Sequence, residues 1–172
     1  MPEELILVDV FDRPVGSASK EEAHREGLLH RAFSVFLVCG DQMLIQQRAL
    51  HKYHSGGLWS NSCCSHPRVG EVLEDAVQRR LQEELGVRTS CRQIGEFVYR
   101  HQFSEELCEY EYDHVFVGQY EGKIALNPQE AMAMQWVSLK DLAADLQKNP
   151  QKYSVWFLTA APMVLRWLKE NA

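Results

Sequence analysis

The stretch Trp59 to Glu71, WSNSCCSHPRVGE, sets two adjacent thiols, Cys63 and Cys64, just ahead of the imidazole of His66. Thiols and imidazoles bind borderline metals, attack carbon or pass protons, so this stretch carries chemistry if it lies at a cleft. Three ordinary readings compete. They are a strained vicinal disulfide, a zinc site, for which the partner spacing is missing, and packing thiols. The flanking segments HSGGLW and HPRVG are loop formers, which places the thiols beside a cleft. Further along, CEYEYDHVF alternates Glu109 and Glu111 with Tyr110 and Tyr112. Residues i and i+2 of a strand share a face, so these carboxylates converge. A solvent-facing acidic strand is the common cause of such a pattern, but the histidine supply weighs against it. With His24, His30 and His66, the two glutamates would make a five-ligand set for a borderline divalent ion. On spacing alone His51, His54, His101 and His114 compete for that role. His51 and His54, beside Lys52 in HKYHSGG, read as surface or structural histidines.

A second anomaly lies in EVLEDAVQRRLQEELG, 71–86. Wound as a helix, it lines up Leu73, Ala76, Val77, Leu81 and Leu85, and Arg80 and Glu84 fall within that apolar stripe. An i,i+4 ion pair in the order Arg before Glu is worth only a few tenths of a kcal/mol. Two inward charges cost more than such a pair returns unless something else uses them. Glu84 therefore points to a divalent cation and Arg80 to a phosphate or a structural carboxylate.

The elements that must position these groups are strands interspersed with helices, without regular βαβ alternation. LILVDVF (5–11) reads as a strand, with DRPVG as the turn after it. RAFSVFLVC (31–39) and MLIQQRA (43–49) read as a hairpin, and IGEFVYRHQF (94–103) with YEYDHVFVGQY (110–120) as two long strands. MQWVSL (134–139) is a further strand. LKDLAADLQ (139–147) and VWFLTAAPMVLRWL (155–168) read as closing helices, and Gly86 as a helix C-cap. The pattern argues an α+β fold with a mixed-sheet sandwich flanked by helices.

The 172 residues suit one domain, 1–172, and 45% hydrophobic with 24% charged residues is ordinary globular composition. A net charge of −6 argues against a broad nucleic-acid surface and leaves room for a small phosphorylated substrate. Five cysteines (Cys39, Cys63, Cys64, Cys91, Cys108) without a C-x-x-C pair indicate reduced thiols and a cytoplasmic protein. The N-terminus lacks a secretory signal, and the apolar run Val155 to Leu168 is too short to span a bilayer.

Residues 65–87 resemble a Nudix box: Glu71, Arg79, Leu81, Glu83, Glu84, Gly86 and Val87 agree with it, while Ser65 replaces a Gly and Arg80 the central Glu. Over roughly residues 20–160 the chain resembles type 1 isopentenyl-diphosphate isomerases, a Nudix-fold family. The resemblance rests on LLHRAFSVFL, LWSNSCCSHPRVGE, RRLQEELGV, VYR with EYEYDHVF, and YSVWF. It implies conversion of isopentenyl diphosphate to dimethylallyl diphosphate. Cys64 and Glu111 would be the acid–base pair, Tyr99 the tyrosine supporting Glu111, and Trp156 the aromatic facing the reacting carbon. His24, His30, His66, Glu109 and Glu111 would hold Mn²⁺, Mg²⁺ or Zn²⁺. Glu84 would serve a substrate-bridging Mg²⁺, and Lys20, Arg48, Lys52 and Arg80 the diphosphate. Cys63 is expected to be a packing or bystander thiol. The lost central Glu argues against the alternative of a Nudix-type diphosphate hydrolase, and the acid–base pair against a non-catalytic metal- or diphosphate-binding module.

Overall fold

In the computed structural model, which describes residues 3–172, the apolar run that begins at His30 becomes the centre of a nine-stranded mixed sheet. In chain order the strands are β1 (Glu4–Val8), β2 (Pro14–Ser19), β3 (His30–Cys39), β4 (Gln42–Arg48), β5 (Trp59–Ser60), β6 (Cys63–Ser65), β7 (Cys91–Ser104), β8 (Leu107–Gln119) and β9 (Ala131–Ser138). The helices are α1 (Lys20–Glu26), α2 (Leu73–Leu85), α3 (Leu139–Lys148) and α4 (Val155–Glu170).

Alternation along β3 builds two cores at once, because neighbouring strand residues face opposite ways. Phe33, Val35 and Leu37 pack with Val77, Leu81 and Leu85 of α2. Phe36 and Val38 pack with Leu142 of α3 and with Phe157, Ala161 and Val164 of α4. Helices therefore cover both faces of the sheet, and the α+β class expected from the sequence holds. One edge of β3 runs parallel to β8, with His30 beside Glu111, and β7 continues that edge. The other edge meets three partners: β1 at His30, β6 over Phe33 to Val35, then β4, which carries β5 and β9. The sheet branches at this point.

One local expectation needs correction. The first strand ends at Val8, and the presumed turn supplies the start of β2, which returns along β1 with Leu5 beside Ala18. The cysteine pair lies in the short strand β6, stitched to β3. Lys20 to Glu26 is helical, capped by the Ser19 hydroxyl, which accepts from the Glu22 amide, and closed by Gly27 at φ 65°. Gly86 ends α2 in the left-handed region, and a Cβ there would lie 2.9 Å from that of Ala125. Among the described residues no helix is long and apolar enough to cross a membrane.

Candidate active site and metal centre

A cavity of about 490 Å³ opens at the branch of the sheet, walled by Ser34 of β3, Gln46 and Arg48 of β4, Cys64 of β6 and Glu109, Glu111 and Asp113 of β8. Alternation decides which thiol reaches it. Cys64 pairs with Ser34 and faces the cavity, whereas Cys63 pairs with Val35 and joins the α2 core. Burial pushes the Cys64 thiol up to about 12, with Glu84, Glu111 and Asp113 adding to the effect, so the thiol keeps its proton near neutrality.

The odd-numbered residues of β8 continue the carboxylate row one step beyond the expected pair, to Asp113. That side chain is fully buried, accepts from Ser34 Oγ at 2.9 Å, and is held well above the usual carboxylate range by burial and by Glu111. Glu111 behaves oppositely. Burial opposes its ionisation, but His30 and His66 outweigh that and hold it well below the ordinary range. Nε2 of His66 lies 2.9 Å and Nε2 of His30 3.3 Å from the same oxygen, Oε2. The Nδ1–H of His30 donates to the Leu28 carbonyl at 2.9 Å; Glu111 raises the imidazole above its ordinary value against burial, and whenever the ring is neutral it turns an unprotonated Nε2 toward the carboxylate. Two lone-pair groups facing one another call for a proton or a metal ion between them.

The ligating atoms of His30, His66 and Glu111 all lie within 4.8 Å of one another, and Nε2 of His24 and of His30 is buried without a hydrogen-bond partner. His24 faces Glu109 Oε1 at 3.9 Å and is depressed to about 3 by burial and by the neighbouring imidazoles, which keeps it neutral and free to ligate. This donor set of nitrogens and carboxylate oxygens fits a borderline divalent ion.

The cations arrive from four elements: Lys20 from α1, Arg48 from β4, Lys52 from the following loop and Arg80 from α2, and all four line the cavity. Arg48 Nε and Arg80 Nε are buried without partners, which suits an incoming anion. Glu130, from a loop that carries no sequence signal, accepts from Lys52 at 2.8 Å and Arg80 at 3.3 Å and spaces them. Arg80 also meets Glu83 at 2.6 Å and Glu84 at 3.3 Å. Glu84 is buried and pushed up to about 7 by burial, against the opposing pull of Arg80. The Trp156 indole lines the same cavity, with the Arg48 guanidinium 4.9 Å above its ring. Its Nε1–H donates to Asn61 Oδ1 at 3.1 Å, and Asn61 in turn donates to the carbonyls of Val35 and Cys63. One buried amide thus fixes the ring relative to the thiol strand.

Three residues differ from their expected surroundings. Tyr99 donates its hydroxyl to Glu109 and not to Glu111, although it sits beside Glu111 in the β7–β8 register. Cys63 packs in the α2 core as a packing thiol would, but it does more than fill space: its Sγ–H donates to Glu84 Oε2 at 2.9 Å. His54 is buried at the cavity wall with Nε2 3.3 Å from Glu109 Oε1, whereas its neighbour His51 is exposed as expected. Asp113 could have been found from the i+4 continuation of the glutamate row. Glu130 and His54 could not, because only tertiary contacts bring them in.

The NUDIX domain family profile matches residues 28–157. Isopentenyl-diphosphate Delta-isomerase of Serratia proteamaculans is 48% identical over 92% of this chain and 89% of that protein. The protein of the same name from Burkholderia multivorans is 46% identical over 97% of this chain and 98% of its own length. Among solved structures, DR0079 from Deinococcus radiodurans superposes with a TM-score of 0.78 at 22% identity, covering 94% of this chain and 98% of that one. A MutT protein from Methanosarcina mazei superposes at 0.66 and 18% identity over 83% and 95%. At those identities the two superpositions speak to the fold alone.

Proposed function

We propose that this chain, which belongs to the isopentenyl-diphosphate Delta-isomerase family of NUDIX-domain proteins, converts isopentenyl diphosphate to dimethylallyl diphosphate as a single cytoplasmic domain. The observation that carries the reading is the placement of a thiol, Cys64, and a carboxylate, Glu111, on the walls of one cavity that also holds the Trp156 indole. A 1,3-allylic shift needs that pair. One group delivers a proton to the terminal carbon of the double bond, which leaves a cation at the tertiary carbon. The other removes a proton from the next carbon toward the diphosphate, and the new double bond forms there. The reverse reaction exchanges the two roles.

Trp156 would face the cation, worth about 0.5–2 kcal/mol, without offering a nucleophile to trap it. Tyr99 would steady the carboxylate pair through Glu109. Lys20, Arg48, Lys52 and Arg80 would hold the diphosphate, so that binding energy remote from the reacting carbons positions them. When bound, Mn²⁺, Mg²⁺ or Zn²⁺ at His24, His30, His66, Glu109 and Glu111 would supply fixed positive charge that orients Glu111, and Mg²⁺ at Glu84 would neutralise diphosphate charge.

The test is NMR of isopentenyl diphosphate in D₂O with Mg²⁺ and purified protein. Deuterated allylic product is expected, and its absence from the Cys64→Ala variant. Release of phosphate would instead identify a hydrolase, and binding without turnover a sensing module.

A further inference from the structure

His54 is the one imidazole of the site that the ligand set above leaves without a task. Its side chain is 3% exposed, and its Nε2 is buried without a hydrogen-bond partner of good geometry while facing Glu109 Oε1 at 3.3 Å. The ring is held from three sides: stacked on Phe103 at 4.2 Å, edge-on to Tyr53 at 4.5 Å and edge-on to Trp156 at 5.6 Å. Its Nδ1 lies 3.0 Å from the Ser55 hydroxyl, which can donate to it. In that tautomer the proton sits on Nε2, the ring nitrogen that lies nearest the carboxylate. The other oxygen of Glu109 already accepts from Tyr99. His54 Nε2 faces Glu109 Oε1 at 3.3 Å, so it is placed to hold that carboxylate.

We propose that His54 is a positioning residue: it donates Nε2–H to Glu109 Oε1 and, with Tyr99 on the other oxygen, fixes the rotation of that carboxylate so that it presents a ready ligand beside His24. A hydrogen bond of this kind tightens when the partner is in use, and a small turn of the carboxylate completes it. Partners that orient metal ligands are typically worth 10- to 100-fold in metal affinity. The backbone of His54 adds a second link, because its carbonyl accepts from Arg48 Nη2 at 3.4 Å and so ties the metal end of the cavity to the diphosphate end.

This inference rests on the metal centre proposed above, and its test needs no turnover. Mn²⁺ binding to the full chain is measured by the EPR signal of the free ion, without substrate. The proteins compared are the wild type, His54→Phe, His54→Gln, Glu109→Gln and the His54→Phe/Glu109→Gln double variant. Phe keeps the aromatic stack and loses the donor, and should weaken Mn²⁺ by roughly 10- to 100-fold. Gln, which restores an N–H near the Nε2 position, should recover most of that loss. In the Glu109→Gln background the Phe substitution should add nothing, which a general packing defect would not produce. Wild-type affinity in His54→Phe, a Gln variant no better than Phe, or an undiminished effect in the double variant would each overturn the role and leave the metal centre standing. A wild-type chain that binds no Mn²⁺ would overturn both. If the Phe variant fails to fold, His54→Leu, which also lacks the donor, takes its place alone and combined with Glu109→Gln, with the same outcomes expected.

Discussion

Cys63 and Cys64 differ by a single step in a strand, and that step sends one thiol into a cavity and the other into the α2 core. Their chemistry diverges accordingly. Cys64 is available for proton transfer, whereas Cys63 is fully buried and spends its proton on Glu84. A hydrogen bond to a charged acceptor is worth about 1.5–3 kcal/mol, and without it Glu84 would keep only Arg80 and, to a lesser extent, Lys52 as counterweights to burial. Cys63→Ala is therefore expected to keep turnover at saturating Mg²⁺ but to raise the Mg²⁺ needed for half-maximal rate by roughly tenfold or more. Cys63→Ser, which keeps a donor, should stay near the wild type. An Mg²⁺ titration that does not move in the alanine variant would remove Cys63 from any role at Glu84.

At the scale of elements, the start of α2 shows how a motif holds its own geometry. Val72 offers no side-chain cap, and the entry to the helix is instead tied by Glu71. Its carboxylate accepts from Arg79 Nε at 2.8 Å and Nη2 at 3.0 Å, and from the Arg68 amide at 2.9 Å. The Arg79 guanidinium holds Glu71 below the usual carboxylate range, overcoming a small opposing effect of burial. A depressed carboxylate adds stability that is present above its unfolded pKa of about 4.5 and lost as pH falls through its lower folded value. Glu71→Gln should accordingly lower stability by about 1 kcal/mol at pH 7, with the deficit shrinking as the pH falls through the depressed folded value of the carboxylate. Denaturant unfolding at several pH values checks this, and a deficit that persists in acid would mean that the ion pair is not its source. Helix α1 shows the opposite case, an element the apolar pattern does not announce. It has only 7 residues, mostly polar, and is set by Ser19 at one end and Gly27 at the other, yet it delivers both Lys20 and His24 to the site.

At the scale of the molecule, the candidate metal centre draws His24 from α1, His30 from β3, His66 from beyond β6 and two glutamates from β8, so an ion there would cross-link elements far apart in the chain. A ligand that binds only the folded state stabilises it by mass action. Mn²⁺ at about 100 times its Kd should add about 2.7 kcal/mol and raise Tm by roughly 5–10 °C, reversed by EDTA. A Tm indifferent to Mn²⁺ would count against the centre. Much of this site was legible in the sequence. The period-two spacing of Glu109 and Glu111 and the charged intrusion of Arg80 and Glu84 into an apolar stripe are one-dimensional patterns, and backbone geometry alone turns them into shared faces. The mixed α+β class follows from the same periodicities. Which oxygen Tyr99 serves, that Cys63 supports Glu84, that Glu130 spaces two cations and that His54 belongs to the site were decided only by tertiary structure. Each of these is a contact between side chains 10 to 78 positions apart, and its geometry depends on how the strands and helices are stacked. Local sequence encodes the direction in which a side chain leaves its element; what it meets there is set by the packing of the rest of the chain.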